Sequence, residues 1–134
     1  MPNRPIPRGD EDADDAAIAD DVVVVRRIPP GRWYHADDER PHSDNFANSP
    51  DGSGTSVDIV DPDYSLTVAI SALPPGFGAV LVKVSDIRAA GLGIVRNPIP
   101  GNPFHATMQG KKRESVRKRL CKSCRTSWAK KPDC

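Results

Sequence analysis

Residues 111–129 read KKRESVRKRLCKSCRTSWA, and their periodicity decides the fold expected of the whole chain. Val116, Leu120, Cys124 and Trp128 recur every four positions, with Cys121 beside them, while Lys112, Arg113, Arg117, Lys118, Arg119, Lys122 and Arg125 fill the rest. Apolar residues on one stripe and cations elsewhere predict an amphipathic basic helix of about five turns over 111–129. A long terminal helix with one apolar stripe must bury that stripe, and a sheet is the natural partner. Upstream, Val22–Val25, Ser56–Val60, Phe77–Val84, Leu92–Val95 and a short run around His105–Met108 are β-branched or alternating and read as strands. Together these predict an α+β domain, with a small mixed sheet of four or five short strands covered on one face by the C-terminal helix.

Between the strands lie two further helical signals. Asp61-Pro62 offers a cap followed by proline at the first helical position, ahead of Tyr64, Leu66, Val68, Ile70 and Leu73. Ser85 can cap a single turn through Ala90, with Gly91 where a left-handed residue would end it. Residues 31–54 form a long polar loop pinned by Trp33, Tyr34 and Phe46. Loops beyond about 12–15 residues are usually functional or mobile.

Length and composition set the frame. The 134 residues carry 19 Lys+Arg against 18 Asp+Glu, 37% hydrophobics, 14 Pro and 10 Gly, which suits one domain with polar appendages. No run approaches the roughly 18–20 apolar residues of a membrane span, and Met1–Asp21 is acidic where a secretory leader would be basic and then apolar, so a soluble cytoplasmic protein with no membrane partner is expected. The net charge of +1 hides a gradient: 15 acids against six bases over residues 1–63, then ten bases against two acids over 111–134. With seven acids and only Ile6 and Ile18 as large apolar residues, residues 1–21 are expected to be a disordered acidic tail, residues 22–130 the domain, and residues 131–134 a short C-terminal tail.

Several short motifs occur in an order that resembles a family of small uncharacterised bacterial proteins. They are Arg26-Arg27-Ile28-Pro29-Pro30; Arg40-Pro41 with Ser43 and Phe46; Asp51-Gly52-Ser53 leading to Ser56-Val57-Asp58-Ile59; and Asn102-Pro103-Phe104-His105-Ala106 followed by Gly110-Lys111-Lys112. The resemblance covers roughly residues 26–120. It departs at His42, where the family has a small hydroxyl residue, and the acidic tail and three cysteines lie outside its pattern. It implies a single domain and no particular activity.

The residues that could carry chemistry support two readings. In the first, the basic helix engages nucleic acid or an acidic protein through Lys112, Arg113, Arg117, Lys118, Arg119, Lys122 and Arg125, a dense cationic face being the usual footprint of a polyanion site, with the acidic tail competing for it within the chain. In the second, the chain is a small enzyme for a phosphate- or carboxylate-bearing substrate, with His105 and Arg27 at its centre and Ser43, Ser56 and Lys111 beside them: cations hold the anion and imidazole moves the proton. No Walker loop, dinucleotide fingerprint or nucleophile elbow accompanies them, and no cofactor is expected. Cys121-Lys122-Ser123-Cys124 with Cys134 supplies three thiols where structural zinc takes four ligands, so buried, inert cysteines are the simpler expectation. His35 and His42 lie among Asp37, Asp38, Glu39 and Asp44 at a spacing that matches no metal motif.

Overall fold

The computed structural model describes residues 7–31, 34–35, 40–50, 52–124 and 127–133. The β-branched runs form strands: β1 (Val23–Ile28), β4 (Thr55–Ile59), β5 (Gly78–Lys83), β6 (Gly93–Arg96) and β7 (His105–Gln109). Within the long loop, β2 (Tyr34–His35) and β3 (Arg40–Pro41) pair as a small ribbon, followed by a short 3-10 helix, Ser43–Phe46. Helices α1 (Leu66–Ser71), α2 (Val84–Ala89) and α3 (Glu114–Cys124) alternate with the strands, and β8 (Trp128–Lys130) comes last.

Six strands make one sheet in the order β6-β7-β4-β1-β5-β8, and every pairing is antiparallel. The expectation of a mixed sheet with four or five strands is therefore wrong in both sense and count. The long terminal helix is also corrected: α3 has 11 residues, Glu114–Cys124, and Trp128–Lys130 is a strand paired with β5. Trp128 sits opposite Val80 on the sheet and packs on the core from there. A fourth apolar residue at the same helical spacing thus reaches the core from a strand.

Because side chains alternate along a strand, the sheet has two distinct faces. One carries Val24, Ile28, Val57, Ile59, Val80, Val82, Ile94, Ala106 and Met108; Phe46, Ile87, Leu120, Cys121 and Cys124 close over it from the 3-10 helix, α2 and α3. The other carries Val25, Ala79 and Leu81, covered by Ala69 and Leu66 of α1 with Tyr64 and Leu73. Helix α1 starts later than Asp61-Pro62 suggests: Ser65 caps it by accepting from the Val68 amide, while Asp61 closes a turn with Asp63 and Tyr64. Gly91 ends the α2 turn with φ +86, as expected of a left-handed stop.

The acidic segment over residues 7–21 is ordered against the domain, contrary to the expected disorder. Ile18 is 1% exposed in the main core. The Asp15 amide donates to the Ile94 carbonyl on the outer edge of β6, the Ile94 amide donates to Asp14 Oδ1, and the Gly110 amide donates to the Gly9 carbonyl. Composition undercounts such a segment because one apolar anchor and a ladder of hydrogen bonds hold it, with little apolar area. No helix among the described residues is long and apolar enough to cross a membrane.

Candidate functional site

The second face of the sheet changes character across its width. Leu81, Val25, Asp58 and His105 stand opposite one another on β5, β1, β4 and β7, and so share one row and one face. Helix α1 covers the apolar end of that row. Over the polar end the chain makes a turn, where Ile99 and Asn102 each donate a backbone amide to the other's carbonyl, at 3.1 and 2.9 Å. Between turn and sheet lies a cleft of about 220 Å³, whose walls include Arg27, Ser56, Asp58, Ile99, Asn102 and His105. Stacked rings of Tyr64 and Phe104, 5.2 Å apart, join the segment before α1 to the segment entering β7.

Each polar group is held by something specific. Asp58 is buried, with Oδ1 accepting from Asn102 Nδ2 at 2.7 Å and Oδ2 3.5 Å from Arg27 Nη2. The Arg27 side chain stays 37% exposed, and a guanidinium has five N–H donors, so pairing with Asp58 orients it without exhausting it. His105 Nδ1 lies 2.7 Å from the Asn97 carbonyl. A carbonyl oxygen can only accept, so Nδ1 carries the hydrogen and, in the neutral ring, Nε2 holds the lone pair. The cleft therefore joins a cation, a fixed carboxylate and a nitrogen able to take a proton. Beneath it, Arg26 donates from Nε to the Asn45 carbonyl and from Nη1 to the Ser56 carbonyl, both at 2.8 Å, tying the long loop to β4. Burial lowers its pKa to about 10, against the pull of Asp58, and it remains a cation at neutral pH.

Three of the five residues expected around a phosphate or carboxylate, Arg27, Ser56 and His105, meet in this cleft. Ser43 does not: it lies in the 3-10 helix that packs against α3. Lys111 follows the far end of β7 from His105 and is exposed. Asp58 and Asn102 are the cleft residues that sequence reasoning left out of the site. In SVDI the aspartate reads as the solvent side of a half-buried strand, and its position opposite His105 follows only from the β4–β7 register.

The basic segment is used unevenly. Lys112 Nζ donates to the Gly9 carbonyl (3.1 Å), Asn48 Oδ1 (2.5 Å) and the Gly110 carbonyl (3.0 Å), and burial lowers its pKa to about 8 despite the attraction of Asp10. Arg117 spans Asp44 Oδ1 at 2.6 Å and the Lys112 carbonyl at 3.1 Å. Both belong to the scaffold. Lys118 pairs with Glu114 along the exposed side of α3, and Arg113, Arg119 and Lys122 are exposed. Arg125 lies outside the described residues. Two of the acidic segment's carboxylates run to α2: Arg88 Nη1 lies 2.6 Å from Asp20 Oδ1, and Nε 3.2 Å from Asp14 Oδ2.

Cys121 and Cys124 are buried free thiols, both pushed up to about 12 by burial. Cys134, and Asp37, Asp38 and Glu39 of the long loop, lie outside the described residues, and His35 is described only by its backbone pairing with Arg40. His42 Nδ1 accepts the Asp44 amide at 3.0 Å and caps the 3-10 helix. Among the described residues no group of three His, Cys, Asp or Glu side chains is placed to hold a metal ion. Compared with protein-family models, with curated proteins and with solved structures, the chain matches none.

Proposed function

We propose that this protein binds a small phosphate- or carboxylate-bearing molecule in the cleft over β1, β4 and β7, with Arg27 pairing the anion and His105 exchanging a proton with it. One observation carries the reading: Arg27, Asp58, Asn102 and His105, from three separate stretches of chain, converge on one concavity over the part of a sheet face that carries charge. An antiparallel sheet can leave part of a face to water, so exposure by itself would mean little; a concave opening whose charged groups are each fixed by a named partner is a place for a ligand. Arg27 exceeds the single carboxylate it faces in hydrogen-bonding capacity, which favours an incoming anion. The cleft is below the roughly 300 Å³ at which drug-sized sites begin, so the ligand is small. Three short stretches, Arg26–Pro30, Ser56–Ile59 and Asn102–Ala106, supply most of the cleft wall. A cytoplasmic location fits the free thiols of Cys121 and Cys124.

The test is a titration with inorganic phosphate and a panel of small carboxylates, followed by backbone and imidazole NMR shifts. Shifts centred on Arg27, Asn102 and His105, and at least tenfold weaker binding in Arg27→Gln, are expected. Absence of shifts there across the panel, or shifts confined to α3, overturns the reading.

The outer face of α3 favours a second reading, in which Arg113, Lys118, Arg119 and Lys122 contact nucleic acid; of the seven cations expected to make that contact, these are the ones exposed among the described residues. Neutralising phosphates with them would release counterions and give affinity that falls steeply with salt. Labelled single- and double-stranded DNA and RNA at two salt concentrations check it, and unchanged binding in a Lys118→Glu, Arg119→Glu, Lys122→Glu variant sinks it.

A further inference from the structure

The acidic segment 7–21 meets the outer edge of β6 at Asp14–Asp15, between turns at residues 9–11 and 16–18. At one end Lys112 Nζ and the Gly110 amide hold the Gly9 carbonyl. In the middle Asp15 donates its amide to Ile94 and Asp14 takes the Ile94 amide on its side chain. Beyond that, Ile18 drops into the core, and Arg88 gathers Asp14, the Asp15 carbonyl and Asp20. Gly93 has no room for a side chain, because a Cβ there would run into the Ala13 carbonyl. The contacts are of three kinds: a main-chain bond to the sheet edge at Ile94, carboxylates on an arginine, and one apolar anchor. These are the elements of strand-addition recognition, in which edge hydrogen bonds give affinity and side chains give selectivity.

We propose that the β6 edge, flanked by Arg88 and Lys112, is a docking groove for an acidic segment of a protein partner, and that residues 7–21 fill it in cis. The partner segment carries a carboxylate for Arg88, an apolar residue four positions later in the place of Ile18, and a second carboxylate two positions beyond, as Asp14, Ile18 and Asp20 do here. The cis segment competes at the high effective concentration of a tethered peptide, so the groove opens to a partner only when the segment is loosened. The groove is separate from the Arg27–His105 cleft and stands or falls without it.

The experiment pairs amide hydrogen exchange with binding of a fluorescent peptide of residues 7–21, added to the full chain. In Asp14→Ala/Asp20→Ala, exchange at Gly110 and Ser85, whose amides donate to Gly9 and Asp20, should rise while β1 and β4 stay protected. The labelled peptide should then bind at least tenfold tighter than to the wild type, weaken with salt, and lose binding when Arg88→Gln is added. Gly93→Ala should also free the segment yet take no peptide, because its methyl group fills the groove. If the alanine pair also unprotects β1, Asp14→Asn/Asp20→Asn is read instead. The proposal is overturned if Gly110 and Ser85 stay as protected as β1, if they open and the peptide does not bind, or if a scrambled peptide binds equally well.

Discussion

Leu81 and Val25 at one end of a cross-sheet row lie beneath α1, while Asp58 and His105 at the other end of the same row border an open cleft. The backbone is the same antiparallel ladder throughout, so the difference lies in the side chains and in what covers them. At the apolar end, burial is its own reward and any well-packed helix would serve. At the polar end each group needs a named partner: Asn102 for Asp58, Asp58 for Arg27, Asn97 for His105. One half of the face is held by area, the other by a short list of directed contacts, and the two should fail differently when altered.

The largest contrast should come from placing a charge under α1. Ala69→Asp would bury a carboxylate without a partner and should cost about 3–5 kcal/mol in denaturant unfolding. Asp58→Ala should come next: it strands Arg27 and the Asn102 amide and should cost about 1–3 kcal/mol, with Asp58→Asn recovering part of the loss by keeping an acceptor. If Asp58→Ala cost as much as Ala69→Asp, the distinction between the two halves would collapse. Ser56→Ala should change stability by less than about 0.5 kcal/mol, since its carbonyl rather than its side chain holds Arg26.

A pH series sharpens the comparison using groups away from the cleft. Lys112 releases its proton at about 8 in the folded chain against 10.5 when free, so the unfolded state binds more protons between those values and stability should rise with pH there. Cys121 and Cys124 hold their protons to about 12 against 9.0 when free, so the folded state binds more protons above 9 and stability should fall. Two thiols outweigh one amine, and the curve should peak near pH 9. Lys112→Met should remove the rise, and Cys121→Ala/Cys124→Ala the fall, with each measured by urea unfolding from pH 7 to 11.

Much of this was legible in the chain. The five long strands announce themselves through β-branched runs, and Gly91 through its place after a single helical turn. What escaped was set by contacts distant in sequence. Trp128 sits at helical spacing from Cys124, yet its pairing with Val80 takes it into the sheet. The acidic segment looks too polar to fold because the carbonyls, amides and arginine that hold it are supplied some seventy to a hundred residues later. Arg27, Ser56 and His105 could be picked out by chemistry, whereas Asp58 and Asn102 needed the register of β4 on β7 and the turn above it. In the basic block, charge counted every lysine and arginine alike, although Lys112 and Arg117 serve the scaffold.

The strand order carries a consequence for how the chain reaches its native state. The first strand of the main sheet lies inside it, between β4 and β5, and β4 in turn waits for β7. A nascent chain that has delivered β1 has delivered neither of the strands that flank it, and residues 7–21 find their seat only after α2, β6 and Lys112 have emerged. Contacts this non-local make for slow folding. For most of synthesis the apolar run Val22–Val25 is therefore preceded by an acidic leader that has nowhere yet to dock, and like charges on neighbouring nascent chains would keep those runs apart until the sheet closes.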